Sequence, residues 1–197
     1  QARRVLPRML EDLVGQRFED PVAQAAVDVL RGWDGVAGVP SPGATLFVST
    51  WREAAYRALQ DEADAAGVTF LMSNGYGSSA IDAWFDEARH PAWDDRRTPG
   101  LESRADVVRE AFRVVVADLS KRFGGDPETW RWGRVHQQKF HHSFGDIGML
   151  SSFLNLKDQE AGGGQDSVWK SQAWMGRREG DFTVVGGPVL RMVVDFA

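Results

Sequence analysis

The chain has 197 residues, with 23 Lys and Arg against 28 Asp and Glu, and its formal net charge of -5 gives no electrostatic hold on nucleic acid. It contains no cysteine, which excludes disulfides, thiol nucleophiles and thiolate metal sites. No apolar run approaches the roughly 20 residues needed to span a bilayer, so neither nucleic acid nor a membrane is an expected partner, and the length suffices for one large core or two small ones.

Gln1-Ala2-Arg3-Arg4 is not followed by an apolar signal core. Val5, Leu6, Met9, Leu10 and Leu13 instead repeat at helical spacing, which predicts an amphipathic helix over 2–14 with Pro7 in its first turns or kinking it. The expectation is a chain that begins inside a folded region. Asp20-Pro21 is an acidic N-cap followed by proline at the first helical position. It opens a helix with Val22, Ala26, Val29, Leu30 and Trp33 on one face, stopped by Gly32, Gly35 and Gly38. Pro40-Ser41-Pro42-Gly43 reads as a loop. A third helix is predicted over 44–66, with Phe47, Trp51, Ala54, Ala55, Ala58 and Leu59 inward, Asp61, Glu62 and Asp64 toward solvent, and Gly67 at its end.

Val68 to Met72 reads either as a short strand or as a buried connection. Ser78 to Ala88 suits a short helix with Ile81, Trp84 and Phe85 inward, and the polar Pro91 to Gly100 stretch suits a surface loop. Ser103-Arg104-Ala105-Asp106 fits a capping box with Asp in the usual Glu position. The helix over 103–123 buries Val108, Ala111, Phe112, Val115, Leu119 and Phe123. Gly124-Gly125 ends it, and Asp126-Pro127 opens a further short turn. Beyond residue 135 the texture changes. Residues 135–142 suit an extended segment, 145–167 are rich in Gly, Ser and Asn, and Phe182 to Val185 and Val189 to Phe196 flank a Gly186-Gly187-Pro188 turn. A two-stranded hairpin is marginal alone, so partner strands from outside this sequence are expected, with exposed apolar edges around 182–196.

Trp130 to His142 holds two of the eight tryptophans and three of the four histidines. His136, His141 and His142 with Asp146 suit a metal, but on a strand His141 would point away from His136 and His142, so hydrogen-bonded histidines beside tryptophans are the plainer reading. Its mixture of basic and aromatic residues would suit base stacking. In an acidic chain, tryptophan packing is favoured, with Arg131, Arg134 and Lys139 paired to the chain's own carboxylates. Gly162-Gly163-Gly164 lacks the Gly-Lys-Ser/Thr ending of a phosphate loop and reads as a turn. Gly32-Trp33-Asp34-Gly35 lacks the strand and helix of a dinucleotide site and reads as a helix terminator. No Gly-x-Ser-x-Gly elbow anchors a serine triad.

Trp130-Arg131-Trp132-Gly133-Arg134-Val135-His136, continuing through Phe140 and His142, resembles the β-chain of the penicillin acylase (penicillin amidase) family of N-terminal nucleophile hydrolases. Leu30-x-x-Trp33-Asp34-Gly35 with Ala44-x-Leu46-Phe47 and Trp51, and Gly187-Pro188-x-x-Arg191-Met192-Val193-Val194-Asp195, are similar to flanking stretches in the same order. Gly163-Gly164-Gln165-Asp166-Ser167-Val168-Trp169 departs from the family's run, with Trp169 at the usual asparagine position.

The resemblance implies an α+β fold: one fragment over 1–197, mainly helical over 1–134, then loops and strands over 135–197 that belong to a larger layered β core. It implies a parent that hydrolyses a linear amide of a small N-acyl substrate with no cofactor. The family nucleophile is a serine freed at a new N-terminus, with its own α-amino group as base and an asparagine in the oxyanion hole. Neither residue has a match here, so no catalytic, cofactor-binding or metal residue is assigned. The expected partner is the remainder of the parent: its α-chain and the nucleophile-bearing part of its β-chain. The resemblance also suggests a bacterial periplasmic or extracellular parent. Gly77-Ser78 has the form of a self-cleavage site but lies between two matched segments, where a turn or helix N-cap is the plainer reading. Two other readings are a non-catalytic helical binding domain and a histidine metal site.

Overall fold

The computed structural model describes residues 1–15, 17–66, 76–140, 142, 144, 147, 151–164, 167, 170–173 and 182–187. The first helix, α1 (Ala2–Val14), runs through Pro7 and buries Val5, Met9 and Leu13. The Asp20 side chain accepts the Val22 N–H, with Pro21 at the first position, and so opens α2 (Pro21–Arg31). Its buried face is Ala23, Ala26, Val27 and Leu30, turned slightly from the expected stripe, so Val22, Val29 and Trp33 flank it half-buried.

The third helix differs from expectation at its start. Pro40 to Gly43 is not all loop: Ser41 caps α3 (Pro42–Ala65) by accepting the Ala44 N–H at 3.2 Å, and Pro42 takes the first position. This is the same Ser/Asp–Pro signal as at Asp20-Pro21. Gly43 sits where α3 crosses Trp33, and a Cβ there would lie 2.4 Å from the indole. The helix is covered on all sides along much of its 24 residues, with Thr45, Ser49, Thr50, Arg52 and Glu53 buried beside Leu46, Phe47 and Trp51. It is the central rod, packed against α2 and against α5 (Arg104–Phe123). Asp61 is not solvent-facing but 5% exposed, because Arg96 reaches across from the 91–100 loop and donates from Nε at 3.2 Å.

Short helix α4 (Tyr76–Trp84) leads into buried Phe85, with Ile81 also buried and Trp84 only half so. The Pro91–Trp93 turn of the expected surface loop carries a core residue. Trp93 is buried against Phe85, edge to face at 5.2 Å, and its indole N–H donates to the Glu87 carbonyl. Helix α5 begins where the Asp106 carboxylate accepts both the N–H and the hydroxyl of Ser103. It ends at Gly124, whose φ of 92° is open to glycine. Arg104 in its first turn is buried and clamps Asp12 of α1 with two hydrogen bonds of 2.6 and 3.1 Å, while also donating to the Phe85 carbonyl.

After a Pro127–Thr129 turn and the one-turn helix α6 (Trp132–Val135), four short strands form one sheet. They are β1 (Gln137–Gln138), β2 (Gln159–Glu160), β3 (Gln172–Ala173) and β4 (Val184–Gly186), in the order β2-β1-β4-β3. The β1–β2 and β3–β4 pairs are antiparallel and β1–β4 is parallel. Between β1 and β2 lies the one-turn helix α7 (Ser151–Leu154), within the stretch expected to be loop-rich. Phe182 and Val184 are buried, so this part of the expected exposed edge is covered. Residues 68–72, Gly67 and the expected strand over 189–196, with Arg191 and Asp195, lie outside the described residues. The fold is helix-rich with few strands, in keeping with an α+β class.

Candidate functional site

The tryptophan motif is set in place by backbone hydrogen bonds to a remote loop. Asp126 accepts the Glu128 N–H and starts the turn that delivers Trp130, whose indole donates to the Gly124 carbonyl at 2.9 Å. The Trp132 and Gly133 N–H groups then donate to the carbonyls of Ser41 and Val39. Gly133 is required by proximity: a Cβ would lie 2.7 Å from a Val39 methyl and 2.8 Å from the Glu160 Cβ. The motif is thereby pressed between the α2–α3 connection and β2.

Trp130, Trp132 and His136 are fully buried. Trp132 donates its indole N–H to the Gly163 carbonyl at 2.9 Å, and Gly163, at a φ of 79°, donates its own N–H to Ala37. The His136 ring stacks on Trp132 with centroids 4.5 Å apart, and Phe182 packs on the same indole at 5.2 Å. His136 Nδ1 lies 2.7 Å from the Ala161 carbonyl oxygen and Nε2 lies 3.2 Å from that of Ser171. Burial holds its pKa below the ordinary 6.5, and the two carbonyls oppose that shift without overcoming it. The neutral ring has one proton, and the shorter Nδ1 contact is its natural place. Arg52 of α3 lies over the Phe182 ring at 3.9 Å, and burial lowers its guanidinium to about 10, so it stays charged at neutral pH.

This arrangement is a lock between the helical part and the sheet. Both imidazole nitrogens face carbonyl oxygens, so His136 is not placed to take a proton from a hydroxyl or to ligate a metal. His142, by contrast, is exposed, and its Nδ1 accepts the Phe144 N–H. The two histidines therefore serve separate environments, while His141 and Asp146 lie outside the described residues. Among the described residues, no group of three or more His, Asp or Glu side chains could hold a metal ion. Arg131 pairs with Glu160 at 3.0 Å, and Lys139 with Asp158 at 3.9 Å. Arg134 instead stacks on Phe123 and donates to the Thr129 carbonyl. Gly77-Ser78 lies within α4.

Two buried pairings escaped the sequence reading. Asp12 falls on the α1 face of Met9 and Leu13, and a carboxylate on an apolar stripe is a signal for a buried cation. Asp61 carried no comparable sign, since Arg96 is 35 residues away. A cleft of about 240 Å³ beside α5 is lined by Arg57, Arg97, Asp95 and Glu102, but its cations are already met: Arg97 by Asp95 and Asp64, Arg57 by Glu53 and Glu110.

The penicillin amidase family model matches residues 1–197. The acyl-homoserine lactone acylase QuiP of Pseudomonas fluorescens (strain Pf-5) is 24% identical over 180 residues, covering 89% of this chain and 21% of the relative. The enzyme of that name from Pseudomonas aeruginosa (strain PAO1) is 25% identical over 191 residues, covering 88% and 22%. The one from Pseudomonas putida (strain KT2440) is 27% identical over 126 residues, covering 59% and 16%. The chain thus spans about a fifth of the length of the curated relatives it matches. With the family model matched from end to end, this chain belongs to the penicillin amidase family.

Proposed function

We propose that this chain is part of an amidase that hydrolyses the linear amide of an N-acyl compound by serine acyl transfer. The observation that carries the reading is the match of the family model along the whole chain. The relatives named acyl-homoserine lactone acylase make N-acyl-homoserine lactones the first substrate class to test. In this reading the nucleophile is a serine at a processed N-terminus outside this span, with its α-amino group as base. It attacks the amide carbonyl, the amine leaves, and water then releases the acid from the acyl-enzyme. No cofactor takes part. This span supplies scaffold: Trp132 and His136 hold the helical part to the strands that would continue into the layered β core. Its partner is the rest of the same protein, and the 197-residue chain alone is inactive.

The test is amine release from a panel of N-acyl-homoserine lactones and simple N-acyl amides by the full-length protein. Turnover of at least one class is expected. A processed, folded full-length protein that cleaves none of them would overturn the reading. A second reading, a non-catalytic helical binding domain, draws on the extent of the buried cluster over α1 to α6. It predicts that the full-length protein lacks amidase activity while the helical part binds its ligand alone.

A further inference from the structure

Between the α1–α2 connection and α5 lies a cleft of about 540 Å³, none of whose lining residues belongs to the tryptophan lock. Its size falls in the range of small-molecule sites, roughly 300–1,000 Å³. Its apolar wall is anchored in the core. Ala23 of α2 is buried, and the half-buried Phe18 ring sits tilted on Phe112 of α5 at 5.6 Å. The charges around that wall are unevenly matched. Asp20 caps α2 and Asp106 caps α5, so both carboxylates already accept backbone N–H groups. Glu110 is held by Arg113 of the same helix and by Arg57 of α3. Arg17, by contrast, is exposed and has no partner among the described residues. Arg109 donates from Nε to the Asp12 carbonyl at 2.7 Å, a neutral acceptor, and forms no ion pair among the described residues. Glu19 alone remains against these two guanidiniums. Asp20 and Asp106 also bring the N-terminal turns of both helices to the cleft, and the positive ends of the helix dipoles favour an anion there.

We propose that this cleft binds a small amphipathic carboxylate, its apolar body against Phe18 and its carboxylate held by Arg17 and Arg109. The planar guanidinium fork matches the two oxygens of a carboxylate. Phe18 gives the rest of such a ligand an apolar surface from which water is displaced. The site stands apart from the proposed amide hydrolysis, which assigns no role to any of these residues.

The probe is an octanoic acid analogue with a diazirine in its chain, irradiated with the full-length protein and mapped by digestion and mass spectrometry. Label is expected on peptides carrying Phe18 or residues 106–113 of α5, displaced by octanoate but not by octanol or octylammonium. Arg17→Gln removes an exposed side chain that has no partner among the described residues, so the variant should melt as the wild type does. Half-saturation of its labelling should nevertheless move to a roughly tenfold higher probe concentration. Label found only outside the cleft, label displaced equally well by octanol or octylammonium, or labelling of the cleft unchanged by Arg17→Gln would overturn the proposal.

Discussion

His136 has a carbonyl oxygen against each ring nitrogen and an indole against its face, so its removal costs more than one contact. Its replacement by Ala is expected to destabilise the chain by about 2–4 kcal/mol in urea unfolding, from the lost hydrogen bond to Ala161, the lost stacking and the cavity left behind together. The pH dependence has a definite sign. Burial depresses the folded pKa below 6.5, so below that pH the unfolded chain takes up the proton first. The contribution of His136 is therefore present above about 6.5 and lost as pH falls through the folded value. Unfolding of the wild type and of His136→Gln at paired pH values should show a smaller loss in acid for the variant. At the Arg104–Asp12 pair, Arg104→Met leaves a buried carboxylate without its main partner and should cost about 3–5 kcal/mol. Adding Asp12→Leu should restore part of that loss, which a double-mutant cycle in denaturant would measure. Asp12 was in principle readable from its helical position beside Leu13. Asp61 was not, because its burial depends on a loop distant in sequence, and local pattern carries no information about such a partner.

Among the elements, the helices were legible wherever a cap and an apolar period coincided. Asp20-Pro21 and Ser103 to Asp106 behave as their chemistry dictates, and Ser41-Pro42 does so as well, although its neighbours Pro40 and Gly43 disguise it as a loop. Ser41→Ala is expected to lower stability by about 1 kcal/mol through the lost Ala44 N–H contact. Trp93 was hidden differently: its polar neighbours suggested solvent, but one large indole is enough to bury a short turn against Phe85. The Trp130–His136 stretch was legible as packing from its aromatic density. Its dependence on Gly133 was not, since the atoms that demand glycine belong to Val39 and Glu160. Gly133→Ala should cost about 1–3 kcal/mol by overpacking. Gly164→Ala, where a Cβ meets nothing within 4 Å, should stay within roughly 0.5 kcal/mol. Thermal unfolding of the two variants side by side is the comparison that checks this.

Among the described residues the long helices precede residue 136 and the strands follow it, but the sheet itself could not be read from the sequence. Its strands are two or three residues long, too short for an alternating pattern, and β1 finds its parallel partner β4 more than 40 residues later. The family was legible through resemblance, and among the described residues the tryptophan motif forms a lock. The proposed amidase thus places the nucleophile elsewhere in the full-length protein, and the most direct check is the intact mass and N-terminal sequence of that protein after maturation. The expected result is a processed protein in which this span lies within a polypeptide beginning with serine upstream of Gln1. A protein that hydrolyses amides while uncleaved, or one whose new N-terminus is Ser78, would contradict it.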